Sequence, residues 1–465
     1  MLQYNYQKFI CYYHAMKRPE NAPSLRDIIA GMEDAVYSKQ LLSSLATILP
    51  TVNGKYLHWS ELKHRKPPQG LDHRLWWGTI KLARSQPRKA VPLKDIEGVN
   101  FSFGMPDLVL EMLHKIDGQA TGKLTTSDQI TNQSTRNRYI VSSLIEEAIE
   151  SSQLEGATTS RRVALNMLRA GRKPKDRHER MIFNNYHAMN RVRKVKDQAL
   201  TPELVFHLHK VVTDQTLENT EATGRLQTNE DKRVQVYDMR SGKVLHTPPP
   251  ADQLRDRLEK LCEFANEEHT DSNFIHPIIK AIILHFWIGF DHPFEDGNGR
   301  LARIVFYWSM LRQNYWLFEF ISISKNIKKA PAKYGYAYLH SETDENDLTY
   351  FIIHQLKVII SSIADLEEYL NKKIQQTALL EKKLKNASRF NHRQLALLSH
   401  AIRGKSDGYT IKSHQTNHGI AYATARADLL DLEEHALLFR GNEKSKAIRF
   451  YPVEDVEKRI DDLST

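Results

Sequence analysis

Two long apolar runs that flank one short polar segment constrain the fold of this chain more than any other feature. The segment DHPFEDGNGR (Asp291 to Arg300) directly follows IKAIILHFWIGF and directly precedes LARIVFYWSMLRQ. Apolar residues recur in both runs at helical spacing, so the runs predict two buried helices. The polar segment is then a short loop held between them, where chemical groups can be positioned accurately.

The first of these helices is predicted to begin at His276-Pro277, since proline favours the first helical position. The residues predicted to face the core are Ile279, Ile282, Ile283, Phe286, Trp287 and Phe290 in the first helix, and Ile304, Val305, Tyr307, Trp308 and Leu311 in the second.

The totals describe an ordinary globular chain. A length of 465 residues predicts about two to four domains, and 41% hydrophobic with 26% charged residues is typical of such proteins. No apolar run is long enough for a membrane span, and the N-terminus lacks the apolar core of a signal peptide. The two cysteines, Cys11 and Cys262, lie far apart, which argues against a disulfide framework. We therefore expect a cytoplasmic protein without membrane contact.

The net charge of +10 and the pI of about 9.2 favour an anionic partner. A nucleotide, a nucleic acid and an acidic protein surface all satisfy this charge, and net charge does not choose among them.

The pattern along the chain predicts a mainly α fold. Residues 1–104 form a region of uncertain fold, with a helix over SLRDIIAGMEDAVYSKQLLSSLATILP and a loop over HRKPPQGLDHRLWW. Helical periodicity dominates the core from 105 to 345. The exception is DKRVQVYDMRSGKVLHTPPP, where alternation around Val234 and Val236 predicts a β-hairpin at 232–247.

The C-terminal part predicts a separate unit. Residues 346–390 form a helical linker, and 391–465 have the order helix, short connector, helix and hairpin, which is typical of a winged helix-turn-helix. Thr424 and Arg426 in its second helix, with Lys444 and Lys446 in the wing, suit DNA phosphates. Asp428, Asp431, Glu433 and Glu434 share that helix and oppose DNA, which favours protein docking but leaves both partners open.

The residue types in the loop suit a nucleotide polyphosphate. Gly297 and Gly299 allow close approach of the backbone at a helix start, where free N–H groups attract anions. Arg300 and Arg303 lie three residues apart and can face the same anion. Asp296 suits Mg²⁺, which binds few carboxylates together with phosphate oxygens. His292 can accept a proton at neutral pH.

Other interpretations of the loop are weaker. A histidine beside an apolar helix is more often structural, and DGNG is more often a plain turn, so the prediction depends on the combination. The oxygen ligands of a calcium loop, the histidine pair of a zinc helix and the Gly-Lys-Ser/Thr of a P-loop are all missing from this segment.

The residues His292 to Arg303, HPFEDGNGRLAR, resemble the signature of the Fic family at every fixed position. HPIIKAIILHFW and the hairpin ending HTPPP are also similar to Fic proteins, and the resemblance covers roughly 105 to 345. It implies a helical Fic-type core whose β-hairpin, including Val234, Val236 and Tyr237, is a flap that binds the target. It also implies transfer of AMP from ATP to a Ser, Thr or Tyr hydroxyl of a target protein.

The resemblance also implies a role for each matching residue. His292 takes the hydroxyl proton, and Asp296 holds Mg²⁺. The nucleotide site comprises Phe294, whose side chain fixes the loop from the inside, with Gly297, Asn298 and Gly299 around the α-phosphate, Arg300 at the β-phosphate and Arg303 at the γ-phosphate.

A second segment, SSQLEG, places Ser151 and Glu155 on one helix face and Gly156 at its end. By itself it is more often an exposed helix end. It resembles the inhibitory motif of Fic proteins, in a helix predicted over 139–156, and this implies that Glu155 pairs with Arg303 and prevents productive ATP binding.

The sequence therefore predicts an autoinhibited, Mg²⁺-dependent protein adenylyltransferase, with removal of AMP by the same glutamate as an open possibility. The alternative is a nucleotide-responsive regulator that binds DNA through the C-terminal unit, although an intact His292 is not needed for sensing. Transfer of UMP, phosphate or phosphocholine, self-modification and homodimer formation also stay open.

Overall fold

A computed structural model describes most of the chain. It covers residues 16–30, 49–85, 88–121, 133–231, 233, 235–237, 242, 244–267, 274–386, 390–402, 408–441 and 448–463. The described residues up to Leu366 form one compact unit, and those from Glu367 onward form a second. The domain boundaries inferred from the sequence stay predictions.

The prediction of a mainly helical fold is confirmed. The helices of the first unit are α1 (Leu25–Ala30), α2 (Trp59–Leu62), α3 (His73–Arg84), α4 (Asp107–Thr121), α5 (Gln133–Leu154), α6 (Arg161–Ala170), α7 (Arg177–Val195), α8 (Pro202–Thr213), α9 (Leu254–Asn266), α10 (Pro277–Asp291), α11 (Asn298–Arg312), α12 (Ile323–Lys329), α13 (Pro331–Thr343) and the first part of α14 (Thr349–Asn386). No helix among the described residues has the length and apolar character needed to span a lipid bilayer.

Two antiparallel strand pairs accompany these helices. The first joins β1 (Arg88–Lys94) to β2 (Asn100–Gly104), and the second joins β3 (Val236–Tyr237) to β4 (Val244–His246). The second pair lies within the predicted hairpin at 232–247, although Val234 falls outside the described residues. Its register pairs Val236 with His246 and Tyr237 with Val244.

The core of the first unit is built around α10 and α11. Every residue predicted from the two apolar runs to face the core is buried. Helix α10 begins at Pro277, and the His276 ring accepts a hydrogen bond from the N–H of Ile278 at 3.3 Å. It ends because His292 adopts a left-handed backbone (φ 46°, ψ 54°) that cannot continue the helix. The short loop that follows reaches α11 at Asn298.

The N-terminal region packs on the core through buried charges. Lys81 of α3 pairs with Asp344 at 2.7 Å, and the Arg84 guanidinium lies 3.6 Å from the ring centroid of Tyr56. The predicted loop over HRKPPQGLDHRLWW is wrong in its second half, because α3 begins at His73. The Asp72 side chain caps that helix by accepting a hydrogen bond from Leu75 N–H at 2.7 Å.

Helix α5 is held to the core by the fully buried carboxylate of Glu147. It accepts hydrogen bonds from Tyr307 of α11 (3.0 Å), from Ser322 (2.8 Å) and from the Ser324 backbone N–H (3.1 Å). Burial raises the pKa of Glu147, and these hydrogen bonds counteract that rise. The residues that follow Glu147 on α5, including Ser151, are thereby fixed against α11.

The second unit combines helices with a small sheet. Its elements are the end of α14, α15 (His392–Ile402), β5 (Tyr409–Thr410), α16 (Ile411–His418), α17 (Tyr422–Glu434), β6 (Leu438–Arg440), β7 (Arg449–Pro452) and α18 (Val456–Leu463). The antiparallel sheet has the order β5-β7-β6. Winged-helix character stays a prediction, and Lys444 and Lys446 lie outside the described residues.

The contact between α10 and α13 generates a test of the core. A Cβ atom at Gly289 would lie 2.8 Å from the Cζ of Tyr338, whose ring stacks on Phe286 and cannot easily move away. We expect Gly289→Ala to lower the free energy of unfolding by about 1–3 kcal/mol. The matched control is Gly118→Ala in α4, where, among the described residues, no atom beyond the helix's own backbone lies within 4 Å of the new Cβ. It should be neutral or stabilising by up to about 1 kcal/mol. Equal urea midpoints for the two variants would contradict this close packing.

Candidate functional site

His292 lies at the end of α10 beside a partly open cavity that Glu155, Gly299 and Arg303 also line. Its Nδ1 is 2.9 Å from the carbonyl oxygen of Gly289, so Nδ1 carries the proton and Nε2 has a free lone pair. Burial lowers the pKa of His292, a trend to which the charges of His246 and Arg233 add and which Glu155 opposes. The imidazole is therefore neutral near pH 7 and able to accept a proton.

Phe294 anchors the loop in the core. Its side chain is fully buried and stacks on His209, with 3.8 Å between the ring centroids. His209 donates from Nε2 to the Asp296 carbonyl at 2.8 Å and accepts the Gly224 N–H at Nδ1 at 3.0 Å. Burial lowers the pKa of His209 to about 4, so the ring stays neutral with both nitrogens engaged. Sequence reasoning missed this residue, since a histidine on an apolar helix carries no functional signal.

Asn298 closes the loop on itself. Its side-chain oxygen accepts the Phe294 N–H at 3.0 Å, and its side-chain nitrogen donates to the Phe294 carbonyl at 2.8 Å. Only the backbone N–H of Asn298 is then offered to an anion. Gly297 has φ 84°, and a Cβ there would lie 2.8 Å from Thr213, so the turn requires glycine.

Arg300 carries the clearest electrostatic signal for an anion. Its side chain is fully buried, and Nη1 donates to the Val212 carbonyl at 3.1 Å. Its Nε and Nη2 have no hydrogen-bond partner among the described residues, and Nη2 lies 3.7 Å from the Asp296 carboxylate. Buried N–H groups of a cation are costly unless an anion accepts from them. The first turn of α11 adds free backbone N–H groups at the same place.

The Asp296 carboxylate accepts the Gly297 N–H at 2.6 Å and lies 3.5 Å from Arg177, which sequence reasoning also missed. The described residues contain no group of three or more metal-binding side chains. A single, partly exposed carboxylate beside an anion site nevertheless suits Mg²⁺, which takes most of its ligands from phosphate and water. Asp296 therefore fits the metal when the metal arrives with a polyphosphate.

The structure brings both predicted motifs into contact at Arg303. Its Nε donates to the Ser151 hydroxyl at 2.7 Å, and its Nη2 donates to the Glu155 carboxylate at 2.8 Å. Burial by itself would lower the pKa of Arg303, but Glu155, together with Tyr334 and Glu147, outweighs burial and raises it above the usual range. The Arg303 side chain is 2% exposed and that of Glu155 13% exposed, so solvent screens the pair little.

Glycines make room for this ion pair. Gly156 follows the end of α5 with φ 92°, a conformation that favours glycine. A Cβ at Gly299 would lie 2.9 Å from the Glu155 Cδ and even nearer to its Oε1. The carboxylate therefore occupies the space above the first turn of α11, where an anion would also approach.

The predicted flap contributes an outer and an inner set of residues. Tyr237 of β3 is 41% exposed, Val236 is partly buried, and Val234 falls outside the described residues. On the inner side, Arg233 and His246 contact the end of α10, and His246 also lies 2.9 Å from the Glu342 carboxylate. Sequence reasoning missed these three residues, because their partners are distant in the chain.

Comparison with known proteins finds similarity in this region. The model of the Fic/DOC family matches residues 199–310. A protein adenylyltransferase Fic from Drosophila virilis is 33% identical over 70 residues, which are 15% of this chain and 14% of the relative. Protein adenylyltransferase fic-1 from Caenorhabditis elegans is 35% identical over 69 residues, which are 15% of this chain and 13% of the relative. The alignments thus span only a small part of these curated relatives.

Solved structures similar to this chain include a Fic family protein from Desulfovibrio desulfuricans G20. Its TM-score is 0.48 at 18% identity, covering 74% of this chain and 95% of that one. Fic-1 (residues 134–508) from C. elegans has a TM-score of 0.45 at 19% identity, covering 57% of this chain and 72% of that one.

His246 generates a prediction about stability and pH. Burial and the charge of Arg18 would lower its pKa, but Glu342 outweighs them and raises it. The protonated ring therefore stabilises the fold fully below about pH 6.5, and this contribution is lost as pH rises through the higher folded pKa. We expect His246→Asn to lower the melting temperature most near pH 6, with a smaller difference near pH 9.

The matched control for this experiment is His207→Asn, because His207 is exposed on α8. Its effect should stay within about 0.5 kcal/mol at each pH. A loss for His246→Asn that is equal at both pH values would contradict a charged His246 in the folded protein.

Proposed function

We propose that this chain, whose residues 199–310 match the model of the Fic/DOC family, is a protein adenylyltransferase held inactive by its own Glu155. The observation that carries the proposal is the buried contact of Glu155 with Arg303, one helical turn from the loop that holds His292. The curated relatives are protein adenylyltransferases, and the same activity is proposed for this chain on the geometry of its own site.

The proposed reaction transfers AMP from ATP to a Ser, Thr or Tyr hydroxyl of a target protein. The hydroxyl oxygen forms a bond to the α-phosphorus while the bond to the β-phosphate oxygen breaks, and pyrophosphate leaves. His292 Nε2 accepts the hydroxyl proton, and the bond from Nδ1 to Gly289 keeps that lone pair available. The Tyr237 edge of the flap is suited to receive the target segment as an added strand.

Charge neutralisation is assigned to the start of α11. The backbone N–H groups from Asn298 to Arg300 would bind the α-phosphate, and Nε and Nη2 of Arg300, which lack a hydrogen-bond partner among the described residues, would bind the β-phosphate. Asp296 would hold Mg²⁺, which when bound neutralises phosphate charge and makes pyrophosphate a better leaving group. Arg303 would bind the γ-phosphate once Glu155 has left it.

Autoinhibition follows from competition for one guanidinium. While Glu155 occupies Arg303, the γ-phosphate has no cation there, and ATP settles with its α-phosphate out of line. With an AMP-modified target bound, the same carboxylate is placed to align a water molecule and release AMP. Transfer and removal are thus two outcomes of one contact, and the position of Glu155 selects between them.

A second candidate function is DNA binding by the C-terminal unit, and one observation favours it. Asp428 does not oppose DNA, because its carboxylate is buried, forms an ion pair with Arg393 (2.7 Å) and is hydrogen-bonded to His414 Nε2 (3.1 Å). Tyr422 and Arg426 at the start of α17 stay exposed. A filter-binding assay with His292→Ala separates the functions, since lost modification with retained DNA binding means that both are present.

Removal of the inhibitory carboxylate should activate self-labelling. We expect Glu155→Gly with ATP and Mg²⁺ to gain the mass of AMP on a hydroxyl residue, at least about 10-fold faster than the parent, by intact-protein and peptide mass spectrometry. His292→Ala in the same background should abolish the gain. Glu146→Gly is the matched control, because its carboxylate binds Arg161 instead of Arg303. No labelling by Glu155→Gly would refute the proposed reaction.

Nucleotide binding supplies an independent prediction. Glu155→Gly leaves a buried guanidinium without its carboxylate, which should lower the melting temperature of the free protein. ATP replaces the lost anion, so saturating ATP should raise the melting temperature of Glu155→Gly more than that of the parent. AMP lacks the γ-phosphate and should raise both alike. If ATP raised the melting temperature of the two proteins equally, the result would contradict the proposal that Arg303 binds the γ-phosphate.

A further inference from the structure

Side chains from both arms of the flap contact the end of α10. His246 Nε2 donates to the Phe290 carbonyl at 2.8 Å, and Arg233 donates to the carbonyls of Asp291 (2.8 Å) and His292 (2.9 Å). Three consecutive carbonyl groups are therefore bound by two side chains that the sequence places about fifty residues earlier.

These carbonyls belong to a helix end, where the carbonyl oxygens accept no hydrogen bond from N–H groups of the helix itself. Cations are favourable at this end because the helix dipole is negative there. The last of the three belongs to His292, a non-glycine residue at φ 46°, which costs roughly 1 kcal/mol or more and needs support from its surroundings. The flap cations provide that support at the residue that carries the base.

Arg233 is unusual in its partners. Its hydrogen bonds within the described residues go to neutral oxygens: the carbonyls of Asp291 and His292, the Pro249 carbonyl at 3.0 Å and the Gln227 side chain. Burial lowers the pKa of Arg233 to about 10, so the side chain is still a cation at neutral pH. Its charge consequently acts on the helix end and on the imidazole of His292.

We infer that Arg233 and His246 are positioning residues, which make the orientation of His292 depend on the flap being in place. The outer side of the hairpin is exposed at Tyr237 and Val244, where a target segment would add, while the inner side holds the base. One hairpin would therefore both bind the target segment and orient His292. The kinetic consequence of this inference rests on the proposed transfer reaction. The contacts of Arg233 and His246 with the end of α10 do not depend on that reaction.

The kinetic test compares Arg233→Gln and Arg233→Lys in the Glu155→Gly background. Arg233→Gln should lower kcat for labelling about 100-fold, the scale expected when a catalytic group is misplaced. The affinity for an ATP analogue with an uncleavable α,β linkage, measured by calorimetry, should stay within about twofold. Lysine keeps the charge but cannot bind both carbonyls at once, so Arg233→Lys should also lose most of the rate.

The control for charge removal is Arg255→Gln, because Arg255 is an exposed residue of α9 paired with Glu259 and makes no contact with α10 carbonyls in the described residues. Its rate and nucleotide affinity should match those of the background. An Arg233→Gln rate equal to that of the control would overturn the inference. So would a loss of nucleotide affinity as large as the loss of rate, because that pattern means general damage to the site.

A titration of His292 by NMR tests the same inference without turnover. The ionisable groups facing His292 are Arg233, His246 and Glu155. In the native background, losing the Arg233 cation should raise the His292 pKa, so that it titrates at higher pH in Arg233→Gln. It should be unchanged in Arg233→Lys and Arg255→Gln. An unshifted His292 in Arg233→Gln would overturn the inference. If Glu155→Gly does not label at all, the proposed function fails, and this titration decides the inference alone.

Discussion

The main structural constraint on this protein is that one buried helix ends, and the next begins, at the same short loop. The C-terminus of α10 and the N-terminus of α11 are separated only by the loop from His292 to Gly297. One end has carbonyl groups without intrahelical donors, and the other has N–H groups without intrahelical acceptors. Because both helix ends are buried, leaving these backbone groups without hydrogen-bond partners would cost free energy. The surrounding structure supplies cations to the first end, whereas the second end is left for an anion.

The same constraint explains why the loop is held by hydrogen bonds from its own residues and from a neighbouring helix. Asn298 returns two hydrogen bonds to Phe294, and His209 holds the Asp296 carbonyl from a third helix. A preorganised group loses little freedom when substrate arrives, and this is a main source of catalytic power in phosphoryl and nucleotidyl transfer. The contact of Arg303 with Ser151 and Glu155 depends on the same fixed loop, because the buried arginine side chain has little freedom to leave its carboxylate partner.

Local patterns in the sequence predicted much of the fold and the centre of the candidate site. Helical periodicity in the apolar runs located α10 and α11 and their buried residues, because the residues that a helix buries recur in the sequence at helical spacing. Helix α3 and the hairpin of β1 and β2 were missed, because His73 follows a proline-rich stretch and β1 contains Pro92 among charged residues. Arg177, His209 and Arg233 were missed for another reason. Each acts through one long-range contact, and no local pattern encodes that contact.

Gly299 has a consequence for how mutations can act on this protein. The space next to its Cα is taken by Glu155 in this structure and is the approach route of the α-phosphate in the proposed reaction. A larger residue at 299 would expel the inhibitor and obstruct the substrate together. Under the proposed autoinhibition, a substitution at Ser151 or Glu155, on the α5 side of the contact, can release Arg303 without filling the space that the phosphate needs. Under the same proposal, a larger side chain at position 299 abolishes activity and does not produce uncontrolled activity, although it also removes Glu155 from Arg303.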